Sequence, residues 1–109
     1  MLQAIEFIET EIFTKRIQEM LTDEEYGRLQ VSLIRRPEAG ALIPGGKGLR
    51  KLRWGGSGKG KSGGIRVIYY LYLRDHRIYM IYPFRKSEQA DLTREQLKSL
   101  TEYVKGGVL

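Results

Sequence analysis

The sequence predicts an α+β fold, with a small antiparallel sheet, an N-terminal helical hairpin packed on one face and a C-terminal helix. Three observations predict it. Apolar residues recur at helical spacing before Pro37, alternate with period two from Leu49, and return to helical spacing after Thr93. We therefore expect the element order β-α-α-β-β-β-α in a single domain spanning residues 1–109, a length that supports one hydrophobic core.

The first third of the chain predicts a short strand followed by two helices. Residues 4–9 (AIEFIE) alternate in the manner of a strand, and Thr10 can cap the helix that comes next. Thr22 and Glu25 have the spacing of a capping box, which begins a second helix. That helix stops before Pro37, because the residue preceding a proline disfavours helical geometry. Two amphipathic helices in succession predict a helical hairpin.

Three strands and a last helix follow. Residues 49–54 alternate with period two, and residues 65–73 are rich in β-branched and aromatic side chains, which favours strands. A turn at RDHR then leads into a strand over residues 78–84. Thr93 and Gln96 form a second capping box and begin the C-terminal helix.

The long strand over residues 65–73 has two unequal faces. Arg66 shares one face with Ile68 and two tyrosines, so the other face is the better candidate for the core. That second face carries Ile65, Val67, Tyr69, Leu71 and Leu73. We expect Arg66 to point away from the core.

Composition excludes several classes of protein. The chain has no cysteine, which excludes a disulfide scaffold, a thiolate metal site and a cysteine nucleophile, and fits a reducing cytoplasm. No segment approaches the roughly 18 consecutive apolar residues of a transmembrane helix, and the N-terminus has no signal-peptide pattern. We expect a soluble cytoplasmic protein. His76 is the single histidine, so a two-histidine mechanism is impossible.

Every charged residue between Ala39 and Leu73 is basic. The seven are Lys47, Arg50, Lys51, Arg53, Lys59, Lys61 and Arg66. The net charge of the whole chain is +6, so the remainder is close to neutral. A concentrated positive potential attracts polyanions, and nucleic-acid phosphate is the usual one. Residues 55–64 (GGSGKGKSGG) also predict a flexible glycine-rich loop between two strands.

Three segments carry a family resemblance: GLRKLRW, GKGKSGGIRVIYY and YPFRKSEQADLT. With the order of elements, they resemble the RelE/HigB-type toxins of bacterial type II toxin–antitoxin modules, and specifically a HigB-like branch. The resemblance implies a RelE-like fold and a ribosome-dependent mRNA endoribonuclease, with ribosome and mRNA as partners. It also implies a cognate antitoxin, of the HigA-like helix-turn-helix kind. Superfamily members without the cationic set poison DNA gyrase instead; that role, and a non-catalytic RNA-binding module, are the alternatives.

The chemistry of RNA cleavage without a metal has three requirements. A base must deprotonate a 2′-hydroxyl, charge on the phosphorane must be neutralised, and an acid must protonate the 5′-oxygen. Crowded cations would lower the pKa of a lysine by like-charge repulsion, so that a partly neutral amine could act as base. Arginine stays protonated and suits charge stabilisation. We expect no metal and no cofactor.

The resemblance assigns catalytic candidates by position. Lys51 and Arg53 fall where the family has two basic residues on the second strand, one of which serves as base. Arg66 matches the arginine that opens the third strand and binds the scissile phosphate. Lys86 matches the basic residue after the last strand.

Further basic residues are candidates for contacts to RNA or the ribosome. Lys59 and Lys61 match the lysines of the family's glycine-rich loop. Arg85, Arg50 and Lys47 complete the expected binding set, with Lys47 and Arg50 as surface charges.

The chain departs from the family at two aromatic positions. Phe84 stands where HigB-like relatives tend to have tyrosine, and Leu92 where RelE has a tyrosine that stacks on a base. Tyr82 shares a strand face with Phe84 and could supply the missing hydroxyl. Tyr70 on the neighbouring strand is the alternative source.

Overall fold

The computed structural model describes residues 4–55 and 64–108 and has the expected α+β architecture. Its elements are β1 (Glu6–Glu9), α1 (Glu11–Met20), α2 (Asp23–Arg35), β2 (Ala41–Leu42), β3 (Leu49–Trp54), β4 (Ile65–Tyr72), β5 (Arg77–Arg85) and α3 (Arg94–Tyr103). The predicted loop lysines, Lys59 and Lys61, lie outside the described residues. Among the described residues, no helix is long and apolar enough to cross a membrane.

The helices α1, α2 and α3 begin where their capping residues predict. The hydroxyl of Thr10 accepts a hydrogen bond from the backbone N–H of Phe13 at 3.0 Å. At the start of α2, the N–H of Glu25 donates to the Thr22 hydroxyl and the N–H of Thr22 donates to the Glu25 carboxylate, at 3.1 and 2.8 Å. The box at α3 is equally complete. These bonds satisfy N–H groups that have no partner within the helix, so the start sites follow from local sequence.

Within residues 4–55 and 64–108, the sheet has five strands in the order β1-β5-β4-β3-β2. The pairs β2–β3, β3–β4 and β4–β5 are antiparallel, but β1 runs parallel to β5. The expected all-antiparallel sheet is therefore wrong at this edge. The direction of β1 is set by contacts from distant parts of the chain, such as Glu6 N–H to His76 C=O at 2.9 Å and the Thr10 hydroxyl to Ile81 C=O at 2.8 Å.

The helical hairpin packs on the predicted core face of the sheet. Phe13, Ile17, Leu29 and Leu33 meet Val67, Tyr69, Ile78 and Met80 in one buried cluster. Ile65 joins the same cluster and Leu71 packs against it partly buried, as the face assignment predicts. Leu73 is wrong as a core residue, because the chain leaves the strand there for a short 3₁₀ turn, Leu73–Asp75, and its side chain is 49% exposed.

A second apolar cluster lies on the opposite face, beneath α3. Leu49, Ile68, Ile81, Phe84 and Val104 are buried there. A register shift at Ile68 and Tyr69 sets Ile68 opposite Tyr82 and Tyr69 opposite Met80, so β5 carries an extra residue at this point. Ile81, Tyr82 and Phe84 consequently all belong to the α3 side.

Candidate functional site

The strand register brings three of the predicted catalytic cations onto the α3 side of the sheet. Arg53 on β3 is directly opposite Arg66 on β4, and Lys51 is opposite Ile68. Paired residues of antiparallel strands project to the same face. Lys51, Arg53 and Arg66 therefore share the face on which Ile68 and Phe84 are buried.

Arg66 is the least exposed of these cations, with 8% of its surface accessible. One of its guanidinium nitrogens lies 3.4 Å from the carbonyl oxygen of Ile65, and the side chain makes further interactions. Arg53 is exposed and, among residues 4–55 and 64–108, forms no ion pair. Two guanidinium groups in direct register repel one another, so the pair requires compensation from an anion or from solvent.

Lys86 follows β5 and is fixed by its backbone beside the start of β4. Its N–H donates to the carbonyl oxygen of Gly64 at 3.2 Å, two residues before Arg66. Lys86 is partly exposed. The four predicted catalytic cations thus come from three consecutive strands or their ends.

The structure adds a carboxylate that sequence reasoning missed. Nζ of Lys51 donates to Oδ1 of Asp91 at 2.9 Å, across a separation of 40 positions in the chain. The hydrogen bond from Lys51 is the largest cause of a lowered pKa at Asp91. The N–H of Leu92 and the charges of Lys51 and Arg66 lower that pKa further, while partial burial opposes them. The signal was available in the YPFRKSEQADLT segment, but Asp91 lies outside the acid-free window.

Two other predicted cations lie on the opposite face, where they make structural contacts. Arg50 is paired with Tyr69, and its guanidinium donates to the carbonyl oxygens of Glu38 and Gly40 at 3.2 and 2.7 Å. Arg85 is paired with Ile65, and its guanidinium donates to the carbonyl oxygen of Glu19 at 2.9 Å. The structure brings neither of them to the cationic face.

Arg85 also forms an ion pair with Glu88, at 3.5 Å. Lys47 is separate again, in an exposed turn where its φ is +54°. The role of these residues as RNA or ribosome contacts therefore stays a prediction.

The two candidate hydroxyl donors occupy different surroundings. The ring of Tyr82 lies 5.0 Å from the guanidinium carbon of Arg16 and 6.2 Å from the ring of Phe84, and it lines a 350 Å³ hollow beside α3. Tyr70 lies on β4, opposite Leu49 of β3. It is two residues from Ile68 and therefore projects to the same face. Both rings pack partly buried against the α3-side cluster.

Comparison with known families settles what kind of protein carries this face. A family model described as the RelE toxin of the RelE/RelB toxin–antitoxin system matches residues 8–107. The chain belongs to the RelE toxin family. This RelE-family protein is thus the toxin of a toxin–antitoxin system, and the family implies a cognate antitoxin as its partner.

Toxins of the RelE family generally cleave mRNA. The matched region of this toxin contains the whole cationic face, from Lys51 to Asp91. Four cations, Lys51, Arg53, Arg66 and Lys86, accompany the carboxylate of Asp91, and these five groups together carry a formal surplus of three positive charges (four minus one). A surface with this surplus of positive charge attracts phosphate groups.

Proposed function

We propose that this toxin is a metal-independent, ribosome-dependent mRNA endoribonuclease of the HigB-like branch. The observation that carries the proposal is Arg66: a nearly buried guanidinium on the central strand of the sheet, directly opposite Arg53 and on the same face as Lys51. A rigid sheet holds side chains in more constant geometry than a loop does, which suits a phosphate-binding centre. The family membership supports the same function.

The proposed reaction is an internal attack within the RNA chain. The 2′-oxygen attacks the adjacent phosphorus, and the bond from phosphorus to the 5′-oxygen breaks. The products are a 2′,3′-cyclic phosphate and a 5′-hydroxyl. One group accepts the proton of the 2′-hydroxyl and another donates a proton to the leaving 5′-oxygen, so no other co-reactant is required.

The cations divide between these tasks. Arginine is the residue type suited to charge stabilisation, so we assign Arg66 and Arg53 to stabilising the phosphorane. Lys51 and Lys86 complete the cationic set, and Tyr82 is the first candidate for a hydroxyl that moves a proton, with Tyr70 as the alternative.

RNA and ribosome contacts outside this centre are assigned to Lys59, Lys61, Lys47, Arg50 and Arg85. Basic side chains attract phosphate without sequence preference and increase the rate of encounter. We further propose that the antitoxin is HigA-like and contains a helix-turn-helix domain.

Mapping of transcript ends in bacteria that express the toxin tests the proposal. The wild type should produce new mRNA ends while translation is active, and Arg66→Ala should abolish them because the phosphate loses its least exposed cation. Arg74→Ala is the matched control, since Arg74 is exposed in the Leu73–Asp75 turn. It should cleave like the wild type.

Three outcomes would contradict the proposal. Growth arrest with intact mRNA would exclude the endoribonuclease, and inhibition of purified gyrase in a supercoiling assay would then identify the gyrase-poisoning alternative. Full cleavage by Arg66→Ala would exclude the proposed centre. RNA binding without any cleavage, in extract that contains ribosomes, would leave a non-catalytic RNA-binding module.

A further inference from the structure

The carboxylate of Asp91 lies among the cations that the proposed cleavage uses. Its Oδ1 accepts two hydrogen bonds, from Nζ of Lys51 at 2.9 Å and from the N–H of Leu92 at 2.8 Å. The side chain of Lys51 is 29% exposed, so most of it is shielded from solvent. The ammonium group of Lys51 is therefore held towards Asp91, whose carboxylate partly neutralises its charge.

The start of α3 holds Asp91 in this position. The amide nitrogen of Gln89 donates both to the carbonyl oxygen of Asp91, at 2.7 Å, and to Oε1 of Gln96, at 2.8 Å. Oε1 of Gln96 also accepts from the N–H of Thr93, as part of the α3 capping box. The folded chain thus presents the carboxylate to Lys51 before any RNA is bound, and little ordering remains to be done on binding.

We propose that Asp91 is a positioning residue that keeps Lys51 charged and fixed in direction, so that Lys51 neutralises phosphate charge and does not remove the 2′-hydroxyl proton. The inference rests on the proposed endoribonuclease function. An amine can accept a proton only through its free lone pair, and an ammonium group that donates to a carboxylate has none to offer. Asp91 is itself a weakened base, because Lys51 and Leu92 N–H lower its pKa.

Several groups on this face could contribute to a pH–rate profile. They are Arg53 on β3, Arg66 and Tyr70 on β4, Tyr82 on β5, and Lys86 and Asp91 in the connection from β5 to α3. The strand β2 places the uncharged Ala41 opposite Lys51. The experiment must separate the effect of Tyr70, Tyr82 and Lys86 from that of Lys51.

The test measures mRNA cleavage against pH, in an extract with ribosomes, for Asp91→Asn, Lys51→Arg, Lys51→Met and the double variant of Asp91→Asn with Lys51→Arg. Lys51→Arg should stay active within about tenfold, because the cation is retained. Asp91→Asn should move the alkaline limb of the profile to lower pH, because the ammonium group loses the carboxylate to which it donates. In the Lys51→Arg background the same change should not move the limb, because arginine keeps its proton.

Three results would overturn the inference. A Lys51→Arg variant as inactive as Lys51→Met would show that a neutral amine is required. If the alkaline limb of the pH–rate profile is at the same pH in Asp91→Asn and in the wild type, Asp91 does not hold the charge of Lys51. If Asp91→Asn moves the alkaline limb equally in the wild-type and the Lys51→Arg backgrounds, Asp91 acts on Tyr70, Tyr82 or Lys86.

A second measurement does not depend on catalysis. Carbon-13 NMR of the Asp91 carboxyl should give a lowered pKa in the wild-type protein and a higher one in Lys51→Met. Equal values would show that the pair does not form and would overturn the inference even in an active enzyme. If the wild type cleaves no RNA, the proposed function fails and the titration still reports on the pair.

Discussion

Arg66 occupies a position that ordinarily holds an apolar side chain. It lies between Ile65 and Val67 on a strand buried on both faces, and a second guanidinium, that of Arg53, is directly opposite. Burial of a cation and proximity of a like charge both disfavour this arrangement. Under the proposed function, a phosphate bound beside the two guanidinium groups would offset the repulsion between them.

A charge-preserving change at Arg66 separates charge from geometry. Arg66→Lys keeps the positive charge but loses the planar, two-pronged donor that matches phosphate oxygens. We expect mRNA cleavage in an extract with ribosomes to fall by about tenfold or more, the value of one lost charged hydrogen bond. Arg77→Lys is the control, because Arg77 begins β5 whereas the residue opposite Arg66, Phe84, lies near the end of that strand. This variant should retain full activity. Equal rates for Arg66→Lys and wild type would refute the geometric role.

Local sequence pattern was sufficient to predict that Lys51 and Arg53 share a face of β3, while the role of these cations stays a proposal. Period-two alternation put Lys51 and Arg53 on one face, and the resemblance to a known family added Arg66 and Lys86. Asp91 could not be found in the same way. Lys51 and Asp91 are 40 positions apart in the chain, and a contact over that separation cannot be predicted from a local periodic pattern.

The connection between α2 and β2 is held to β4 by Tyr69. The hydroxyl of Tyr69 donates to the carbonyl oxygen of Pro37 at 2.7 Å and accepts from the N–H of Gly40 at 2.8 Å. Gly40 fits because an added Cβ would lie 2.7 Å from the Tyr69 ring. The strand β2 is thereby aligned with β3, where Ala41 pairs with Lys51.

Removal of the Tyr69 hydroxyl should destabilise this arrangement. Tyr69→Phe leaves a buried N–H and a C=O without their partner, which costs about 1–3 kcal/mol. Urea unfolding measures the change, and Tyr72→Phe, with a partly exposed ring, is the control. A loss at Tyr69 no larger than at Tyr72 would mean that water replaces both hydrogen bonds.

The C-terminal helix α3 both covers one face of the sheet and places Asp91. Through Leu97 and Leu100 it covers the second apolar face of the sheet, and the turn that starts it carries Asp91 to Lys51. The sequence predicted its start at Thr93 because a capping box is a contact within four residues. It did not predict which face the helix covers, since that depends on packing against strands from other parts of the chain.

The whole molecule should lose stability in acid through its paired carboxylates. The hydrogen bond from Lys51 is the largest cause of a lowered pKa at Asp91, and the N–H of Arg85 is the largest cause at Glu88, where Arg16 adds to it. The unfolded chain then binds protons more readily than the folded one. The stabilising contribution is complete above the ordinary pKa values of 3.8 and 4.5 and disappears as pH falls through the folded values.

Thermal unfolding followed at about pH 6 and about pH 3, on either side of the ordinary carboxyl range, measures this effect. The wild type should melt at a lower temperature in the more acidic buffer, and the double variant Asp91→Asn, Glu88→Gln should show a smaller difference between the two conditions. Asp23→Asn is a control on an exposed carboxylate. An identical difference in wild type and double variant would exclude these pairs as a source of acid sensitivity.

The sequence by itself determined the helix starts, the alternating faces of β3 and β4 and the positive charge of one region, because each depends on residues within a few positions of one another. Tertiary structure alone decided that β1 runs parallel to β5, that α3 covers the face of Arg66, and that a carboxylate contacts Lys51. These features depend on contacts between distant segments, whose geometry is fixed only when the sheet is assembled. The acid-free window of the sequence therefore contributes cations to a site to which Asp91, from outside that window, adds a carboxylate.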